Sequence, residues 1–463
     1  MKLNYFNFKE LNGKILLTND FGKYVFVERE ELRDIIKGDV RPDTVLGKKL
    51  LAAKIAYEGN ELDFSCDNKF ELRRVKDHVN TATSLHIFVV TTACNMNCVY
   101  CQANSGKKRP YQFMDKETAE KAVDVALQSP AVNLNFEFQG GEPLMNFDVI
   151  KHIVEYTEKC NVLHNINYNI VTNLTLLNDN VLNYLAEHGF VISTSIDGDM
   201  QTHDKNRTML HGGGTYDSVI SAVKRIKAAG LRVGAIETTT RDTLNHANEL
   251  VKTYAELGLQ NIFIRPLTPL GKALANWSDI GYTPEEFIAF YRDAFSELIS
   301  LNAKGYFIQE QHASIFLKRI SGQNINYMEL RSPCGAGVGQ MAYFPDGGVF
   351  TCDEGRMMHE MGEDVFCLGN VFRDSFSELI RNKVCRTVCA SSILESIPSC
   401  CDCAYQPYCG TCPVINYALF NDIIEKSPRG FRCKIYSGIL DILFSEILKN
   451  DSTTVGILNS WSN

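Results

Sequence analysis

Thr91-Thr92-Ala93-Cys94-Asn95-Met96-Asn97-Cys98-Val99-Tyr100-Cys101 follows directly on the apolar run Leu85 to Val90. Its Cys-x3-Cys-x2-Cys spacing delivers three thiols to one small volume. Three is an odd number for a structural metal, because a closed zinc site takes four ligands and so does an ordinary 4Fe-4S cluster. The loop therefore predicts a cluster with one iron left open to bind something else. Buried structural cysteines have no reason to keep such a spacing.

Outward from this loop, the chain alternates from about residue 84 to 310. Leu85 to Val90, Leu134 to Phe138, Tyr168 to Val171, Val191 to Ile196, Val233 to Glu237 and Ile262 to Ile264 read as six buried strands, with helical segments such as Lys116 to Leu127 and Tyr216 to Ala229 between them. This predicts an α/β fold, a partial (βα)6 TIM-type barrel, with chemistry at the C-terminal ends of its strands. Residues 1 to 80 open with strand-like runs at Tyr5 to Phe8, Ile15 to Thr18 and Tyr24 to Val27, then helices around Glu30 to Ile36 and Val45 to Ala56. From 330 to 435 the periodicity is short and broken, and eleven of the 16 cysteines lie after residue 333. A segment of that kind needs cross-links, so it reads as a metal-stapled domain. A helical tail is expected over 436–463, with Ile439, Leu440, Leu443 and Ile447 on its apolar face.

The net charge of −8 gives no basic footprint, which argues against nucleic acid as main partner. No window approaches 18 uninterrupted apolar residues and the N-terminus lacks a signal-peptide core, so the expectation is a cytoplasmic protein without membrane contact. In a reducing compartment the cysteines then point to metal or catalysis rather than disulfides. Cys66 and Cys160 have no partner spacing and read as ordinary buried thiols.

Cys94, Cys98 and Cys101, with Tyr100 before the last of them, resemble the signature of the radical S-adenosylmethionine (SAM) enzymes. The resemblance implies that SAM chelates the open iron and that reductive cleavage yields a 5′-deoxyadenosyl radical. About forty residues on, Gly140-Gly141-Glu142-Pro143 is similar to the family's Gly-Gly-Glu-Pro motif, which implies that Gly140, Gly141 and Glu142 hold the SAM amino group. Asn173, at the end of the third strand, and Ser195 and Asp197, at the end of the fourth, suit ribose hydroxyls; the bland alternative is that they cap the following helices. His203-Asp204-Lys205-Asn206-Arg207 also looks familiar from the family, without an assigned role.

The downstream cysteines resemble the SPASM extension of radical SAM enzymes that modify peptides and proteins. Cys334 is separated by twelve residues from the run Gly347-x4-Cys352, and Cys400-x2-Cys403-x5-Cys409-x2-Cys412 is followed by Cys433. Carried over by position, Cys400, Cys403, Cys409 and Cys433 would ligate one auxiliary 4Fe-4S cluster, and Cys334, Cys352 and Cys412 a second. The family usually has three residues where Cys409 and Cys412 have two between them, and Cys401 adds an ambiguous neighbour. The second cluster is left with three ligands, its fourth position open or filled by Cys367, Cys385 or Cys389. A pair of zinc sites is the rival reading of the region.

The N-terminal strands and the run Tyr405 to Pro413 look most like the His-Xaa-Ser system peptide maturases, with a winged-helix-like module at the N-terminus. This implies an enzyme that crosslinks or oxidises a ribosomally made precursor peptide, its leader bound by residues 1 to 80, with flavodoxin or ferredoxin as electron donor. The alternatives are a sulfatase-maturase-like enzyme and a zinc-stapled binding protein without catalysis.

Overall fold

Asn133 to Gly140 reads Asn-Leu-Asn-Phe-Glu-Phe-Gln-Gly, polar and apolar by turns, and the strand it forms keeps that alternation in space. Leu134, Phe136 and Phe138 are fully buried against helices, while Asn135, Glu137 and Gln139 line an interior cavity. The computed structural model describes residues 1–103, 110–323, 325–424 and 430–463.

Fifteen strands are formed among these residues. The N-terminal part holds β1 (Lys2–Leu3), β2 (Asn7–Leu11), β3 (Lys14–Thr18), β4 (Tyr24–Val27) and β5 (Ala56–Tyr57). The barrel strands are β6 (Leu85–Thr91), β7 (Asn133–Gly140), β8 (Asn165–Val171), β9 (Val191–Ser195), β10 (Val233–Thr238), β11 (Asn261–Arg265) and β12 (Gln309–Glu310). The last three are β13 (Gln340–Tyr343), β14 (Gly348–Phe350) and β15 (Cys367–Asn370).

The six expected strands are present as β6 to β11, all parallel to their neighbours, with β12 adding a short seventh. Outside them, helices Lys116–Ala126 and Phe147–Cys160 bury Ala119, Ala122, Val123, Ile150, Ile153 and Val154. An aromatic column runs through this layer: Phe88 lies 4.9 Å from Phe136, Phe138 lies 5.7 Å from Phe190, and Phe190 lies 5.4 Å from Tyr168. Such offset and tilted pairs add stabilisation beyond the area they bury.

The division expected between a barrel ending at 310 and a separate segment from 330 does not describe the sheet. Strand β13 pairs parallel with β6, Gln340 against Leu85 and Tyr343 against Phe88, and β14 and β15 continue the sheet antiparallel to ten strands. The seam is polar at one point: His86 Nδ1 and the Tyr343 hydroxyl share a buried hydrogen bond of 2.8 Å. Burial pushes His86 down to about 3, so the ring is neutral there.

In the N-terminal part, β2, β3 and β4 form an antiparallel sheet with β3 central. The helix expected over Val45 to Ala56 ends at Ala52, because Lys54 takes a left-handed φ of 58° and Ala56–Tyr57 leaves the helix to pair with Lys2–Leu3. A further helix, Glu61–Val75, escaped the sequence reading, since none of its residues is buried and its apolar periodicity is weak. The sheet docks on the cysteine-rich segment. Asn7 Nδ2 donates to the Cys401 and Cys403 carbonyls at 3.0 and 3.1 Å, and Thr18 Oγ1 donates to the Ala404 carbonyl at 2.7 Å.

The C-terminal tail forms two helices, Phe431–Lys449 and Ser452–Trp461, separated by Asn450 at a φ of 54°. Trp461 is fully buried, edge-on to Phe295 at 5.6 Å, and its carbonyl accepts a hydrogen bond from Ser314 Oγ. Its indole N–H finds no acceptor among the described residues. Trp461→Ala should therefore cost about 3–5 kcal/mol through the cavity it leaves, whereas Trp461→Phe should cost much less because it also removes a buried unpaired donor. Anaerobic urea unfolding of the two variants measures the difference.

Candidate active site

The three-cysteine loop is held in place by backbone groups on both sides. The Asn97 and Val99 N–H groups donate to the Thr208 and Asn206 carbonyls at 2.8 and 3.0 Å, and the Leu210 N–H donates back to the Asn95 carbonyl at 2.9 Å. On the other side the Lys272 N–H donates to the Cys101 carbonyl at 2.9 Å, and Lys272 Nζ reaches Asn97 Oδ1 at 2.6 Å. A Cβ on Gly271 would meet the Gln102 carbonyl oxygen at 2.3 Å, so this close approach requires glycine. Cys94, Cys98 and Cys101 thereby face one cavity and lie within electrostatic reach of one another.

The cavity has a volume of about 740 Å³. Its wall includes Tyr100, Gly140, Gly141, Asn173 and Ser195 as well as the three thiols. Gly140 and Gly141 fit a backbone that must lie flat against the cysteine loop: a Cβ would run into the Thr91 carbonyl oxygen at 2.1 Å and the Ala93 carbonyl oxygen at 2.2 Å. Asn173 Nδ2 donates to Asn95 Oδ1 at 2.9 Å, which ties the third strand end to the loop.

Glu142 and Asp197 are fully buried and stand behind this wall rather than in it. Glu142 Oε1 accepts from Thr172 Oγ1 at 2.6 Å and the Leu144 N–H at 3.0 Å, and Oε2 accepts from the Asn173 N–H at 2.7 Å. The carboxylate thus braces strand ends, and the parts of the motif that face the cavity are its glycines. Asp197 Oδ2 accepts from the Tyr100 hydroxyl at 2.6 Å, and that hydroxyl accepts from Arg207 Nη1 at 2.6 Å. Burial works against the Arg207 charge, but Cys98, Tyr100 and Asp197 around it hold the guanidinium protonated. The unassigned run 203–207 therefore places a buried cation beside Cys98 and on the cavity wall.

Part of the cavity wall is charged, a feature the sequence alone does not reveal. Glu137, Gln139, Arg265, Glu329, Asp353 and Arg356 meet there. Burial alone would raise Glu329, but Arg265 at 2.7 Å and Arg432 at 3.1 Å clamp it and hold its carboxyl down at about 2. Burial pushes Glu137 up to about 7. Arg356 bonds Asp353 at 2.8 Å and reaches Gln139 Oε1 at 3.3 Å, linking the helix after Cys352 to β7.

Seven of the other cysteines gather in two groups, whereas Cys66 and Cys160, expected to be buried, are exposed. Cys409 lies within electrostatic reach of Cys400, Cys403 and Cys433, and Cys352 of Cys334 and Cys412. Burial pushes Cys334 up to about 11, Cys94 in the first loop up to about 12, and Cys352 and Cys412 up as well, because the desolvation of a thiolate outweighs the pull of Arg331 on Cys334 and of Arg432 on Cys412. Bound iron supplies more positive charge, as metal-ligating cysteines bind deprotonated. Cys352 also caps the helix Asp353–Met361 and accepts the Gly355 N–H at 3.3 Å, a position that favours a thiolate. Among the described residues no three His, Cys, Asp or Glu side chains converge as one metal ion demands. An iron-sulfur cube instead takes one thiolate per iron.

Residues 88–264 match the Radical SAM superfamily. The chain therefore carries a radical SAM domain, with SAM and a 4Fe-4S cluster as its cofactors, and the three thiols and two glycines above fit both. The cysteine-type anaerobic sulfatase-maturating enzyme of Clostridium novyi (strain NT) is 23% identical over 333 residues, 70% of this chain and 86% of that protein. Among solved structures, native anSMEcpe with bound AdoMet superposes with a TM-score of 0.69 at 22% identity, covering 82% of this chain and 99% of that one. Streptococcus suis SuiB bound to precursor peptide SuiA gives 0.55 at 15% identity, covering 93% and 98%. These likenesses extend the shared fold beyond the radical SAM domain and across the cysteine-rich C-terminal part.

Glu142→Ala would leave three buried donors without an acceptor. The expected outcome is a loss of about 3 kcal/mol or more from the stability of the apo protein, with weaker SAM binding as a consequence. Urea unfolding beside equilibrium dialysis with SAM checks it; unchanged stability with lost affinity would place the carboxylate on the ligand instead.

Proposed function

We propose that the protein is a radical SAM peptide maturase that crosslinks or oxidises a ribosomally made precursor peptide. The observation that carries this reading is the cavity of about 740 Å³, whose wall joins Cys94, Cys98 and Cys101 to the charged residues Glu137, Arg265, Glu329, Asp353 and Arg356. When bound, the reduced cluster and SAM supply a 5′-deoxyadenosyl radical, and a flavodoxin or ferredoxin would supply the electron. This chain's own residues have separate tasks. Cys94, Cys98 and Cys101 would hold the cluster, Gly140 and Gly141 the amino end of SAM, and Asn173 and Ser195 its polar groups, with Tyr100 and Arg207 fixing the loop. Asp197 anchors Tyr100. Cys400, Cys403, Cys409 and Cys433 would hold one auxiliary cluster, and Cys334, Cys352 and Cys412 the other.

The second reading, a sulfatase-maturase-like enzyme acting on a Cys or Ser of a protein, is favoured by the long alignment with the Clostridium novyi protein. Co-expression with small neighbouring open reading frames, followed by mass spectrometry, separates the two. A loss of two mass units from such a peptide supports the maturase. No change in any of them, with modification of a co-expressed sulfatase, supports the alternative.

Two features favour leader recognition by the N-terminal sheet. β4 pairs only with β3, so its other edge has no partner strand among the described residues. Along that edge runs a groove of about 550 Å³ lined by Lys23, Tyr24, Val25, Phe26, Lys49, Ala52, Ala53 and Ile320. A leader would add there as a strand, bound through main-chain hydrogen bonds. No helix among the described residues is long and apolar enough to cross a membrane.

Replacing Cys94, Cys98 and Cys101 together by Ala should abolish 5′-deoxyadenosine formation while retaining about two thirds of the iron, since the three cysteine groups are separate and a 4Fe-4S cluster holds four irons. Chromatography of the nucleoside and iron analysis read the two effects. Val25→Pro should leave SAM cleavage without peptide intact but weaken precursor binding at least tenfold, because it disrupts the edge strand; fluorescence anisotropy of labelled precursor measures it. Unchanged affinity in a folded variant would move recognition to another surface.

A further inference from the structure

The group formed by Cys334, Cys352 and Cys412 is one thiol short of a closed cluster, and Cys367, Cys385 and Cys389 are the candidates for the fourth position. Their surroundings differ sharply. Cys367 lies on β15, where its Sγ donates to the Gly369 carbonyl at 3.5 Å and its charged neighbours are Asp364, Asp346 and Arg373. None of those belongs to the cysteine group.

The helix Lys383–Ala390 presents a different picture. Cys385 and Cys389 are four residues apart, a spacing that puts both on one side of the helix, and Ser392 follows just past its C-cap. That side is pressed on the segment 334–337. Ser392 Oγ accepts the Cys334 N–H at 2.9 Å, Cys389 Sγ lies 4.0 Å from the Ala336 carbonyl oxygen, and a Cβ on Gly337 would come 2.6 Å from Cys385 Sγ. Cys389 is thus held beside Cys334, within electrostatic reach of it. Cys385 is fully buried and its thiol stands within hydrogen-bonding reach of the Cys389 sulfur.

A nearby cation suits a cluster at this place. Arg331 is 1% exposed, lies within electrostatic reach of both Cys334 and Cys389, and directs its hydrogen bonds to the Pro333 carbonyl, Asn326 Oδ1 and Met328 Sδ, none of them a carboxylate. A buried guanidinium without a carboxylate partner is costly unless another negative charge faces it. Four thiolates around an iron-sulfur cube provide one.

We propose that Cys389 is the fourth thiolate of the Cys334, Cys352 and Cys412 cluster, and that Cys385 is a positioning residue whose S–H donates to the ligating sulfur. On ligation Cys389 gives up its proton to solvent, like the other three thiols, and its sulfur binds the remaining iron. The cluster is then saturated. No substrate thiol, amine or amide can bind its iron, and the substrate's reactive part is confined to the cavity beside Cys94, Cys98 and Cys101. Hydrogen bonds to ligating sulfurs also shift cluster potentials, which gives Cys385 a measurable effect of its own. This inference rests on the reading that Cys334, Cys352 and Cys412 hold an auxiliary 4Fe-4S cluster.

The test is anaerobic reconstitution of the full chain as wild type, Cys334→Ala, Cys385→Ala and Cys389→Ala, with iron and sulfide analysis and electron paramagnetic resonance (EPR) of reduced and mildly oxidised samples. With three 4Fe-4S clusters the wild type should hold about twelve irons. Cys389→Ala should lose about one to four of them and, where three irons stay, show a 3Fe-4S signal on mild oxidation. Cys385→Ala should keep its iron and shift only the potential of one cluster. A Cys389→Ala protein with wild-type iron and spectra, while Cys334→Ala loses a cluster, overturns the proposal. A wild type with only about four irons overturns the auxiliary-cluster reading itself, a distinct result. A second measurement requires no variant: with SAM saturating the first cluster, excess 2-mercaptoethanol should leave all EPR signals of the wild type unchanged. A perturbed auxiliary signal would show an open iron and overturn the assignment to Cys389.

Discussion

The Glu142 carboxylate joins the elements around the mouth of the barrel. Its oxygens accept from Leu144 just after the Gly-Gly turn, and from Thr172 and Asn173 at the end of β8. The same turn is bonded to the start of the cysteine loop, where the Gly141 and Glu142 N–H groups donate to the Thr91 and Ala93 carbonyls at 2.9 and 2.8 Å. Asn173, fixed by Glu142, in turn bonds Asn95. One buried charge therefore holds three strand ends and the thiol loop at fixed separations. Burial raises its carboxyl above the usual range, and three hydrogen bonds, two of them from backbone, offset part of that desolvation cost. A cofactor that must touch thiols on one loop and glycines on the next strand needs such a frame before it binds.

The cavity itself follows from a departure from ordinary barrel packing. Parallel strands are usually apolar on both faces, and barrel interiors are filled by branched side chains. Here β7 turns Asn135, Glu137 and Gln139 inward and β9 turns Ser193 and Ser195 inward. Small and polar side chains cannot close the interior, so about 740 Å³ stays open. The apolar partners on the same strands, Leu134, Phe136, Phe138 and Ile192, supply the packing on the outer face. Stability and the reaction chamber are thus written on alternate residues of the same segments.

That alternation is legible in the sequence, although six segments taken only as buried strands do not reveal it. Asn133 to Gln139 and Asn165 to Val171 carry period-two polarity that a fully buried strand has no use for. The strands themselves and the two-glycine turn were readable because local chemistry dictates them: β-branched and aromatic runs between turn residues, and glycine where backbones touch. The charged wall was not readable. Arg265, Glu329 and the pair Asp353 and Arg356 come from three separate places in the chain, and only the packing of the downstream segment against β6 brings them to one cavity. Arg207 illustrates the middle case, a residue visible within a distinctive run whose task emerges only when its side chain meets Tyr100 and Cys98.

The continuous sheet gives the cysteine-rich part its relation to the barrel. Because β13 extends the parallel sheet from β6, Cys334 and Cys352 flank a pair of strands, β13 and β14, anchored in the barrel rather than hanging on a linker. The N-terminal sheet reaches the same region from the other side, through Asn7 and Thr18 on the carbonyls of Cys401, Cys403 and Ala404, while Tyr24 packs on Phe444 at 5.2 Å. A displacement of the cysteine loops would have to break buried hydrogen bonds on one face and strand pairing on the other. Electron transfer and radical chemistry both depend steeply on distance, and this double attachment fixes the distances without any contribution from disulfides.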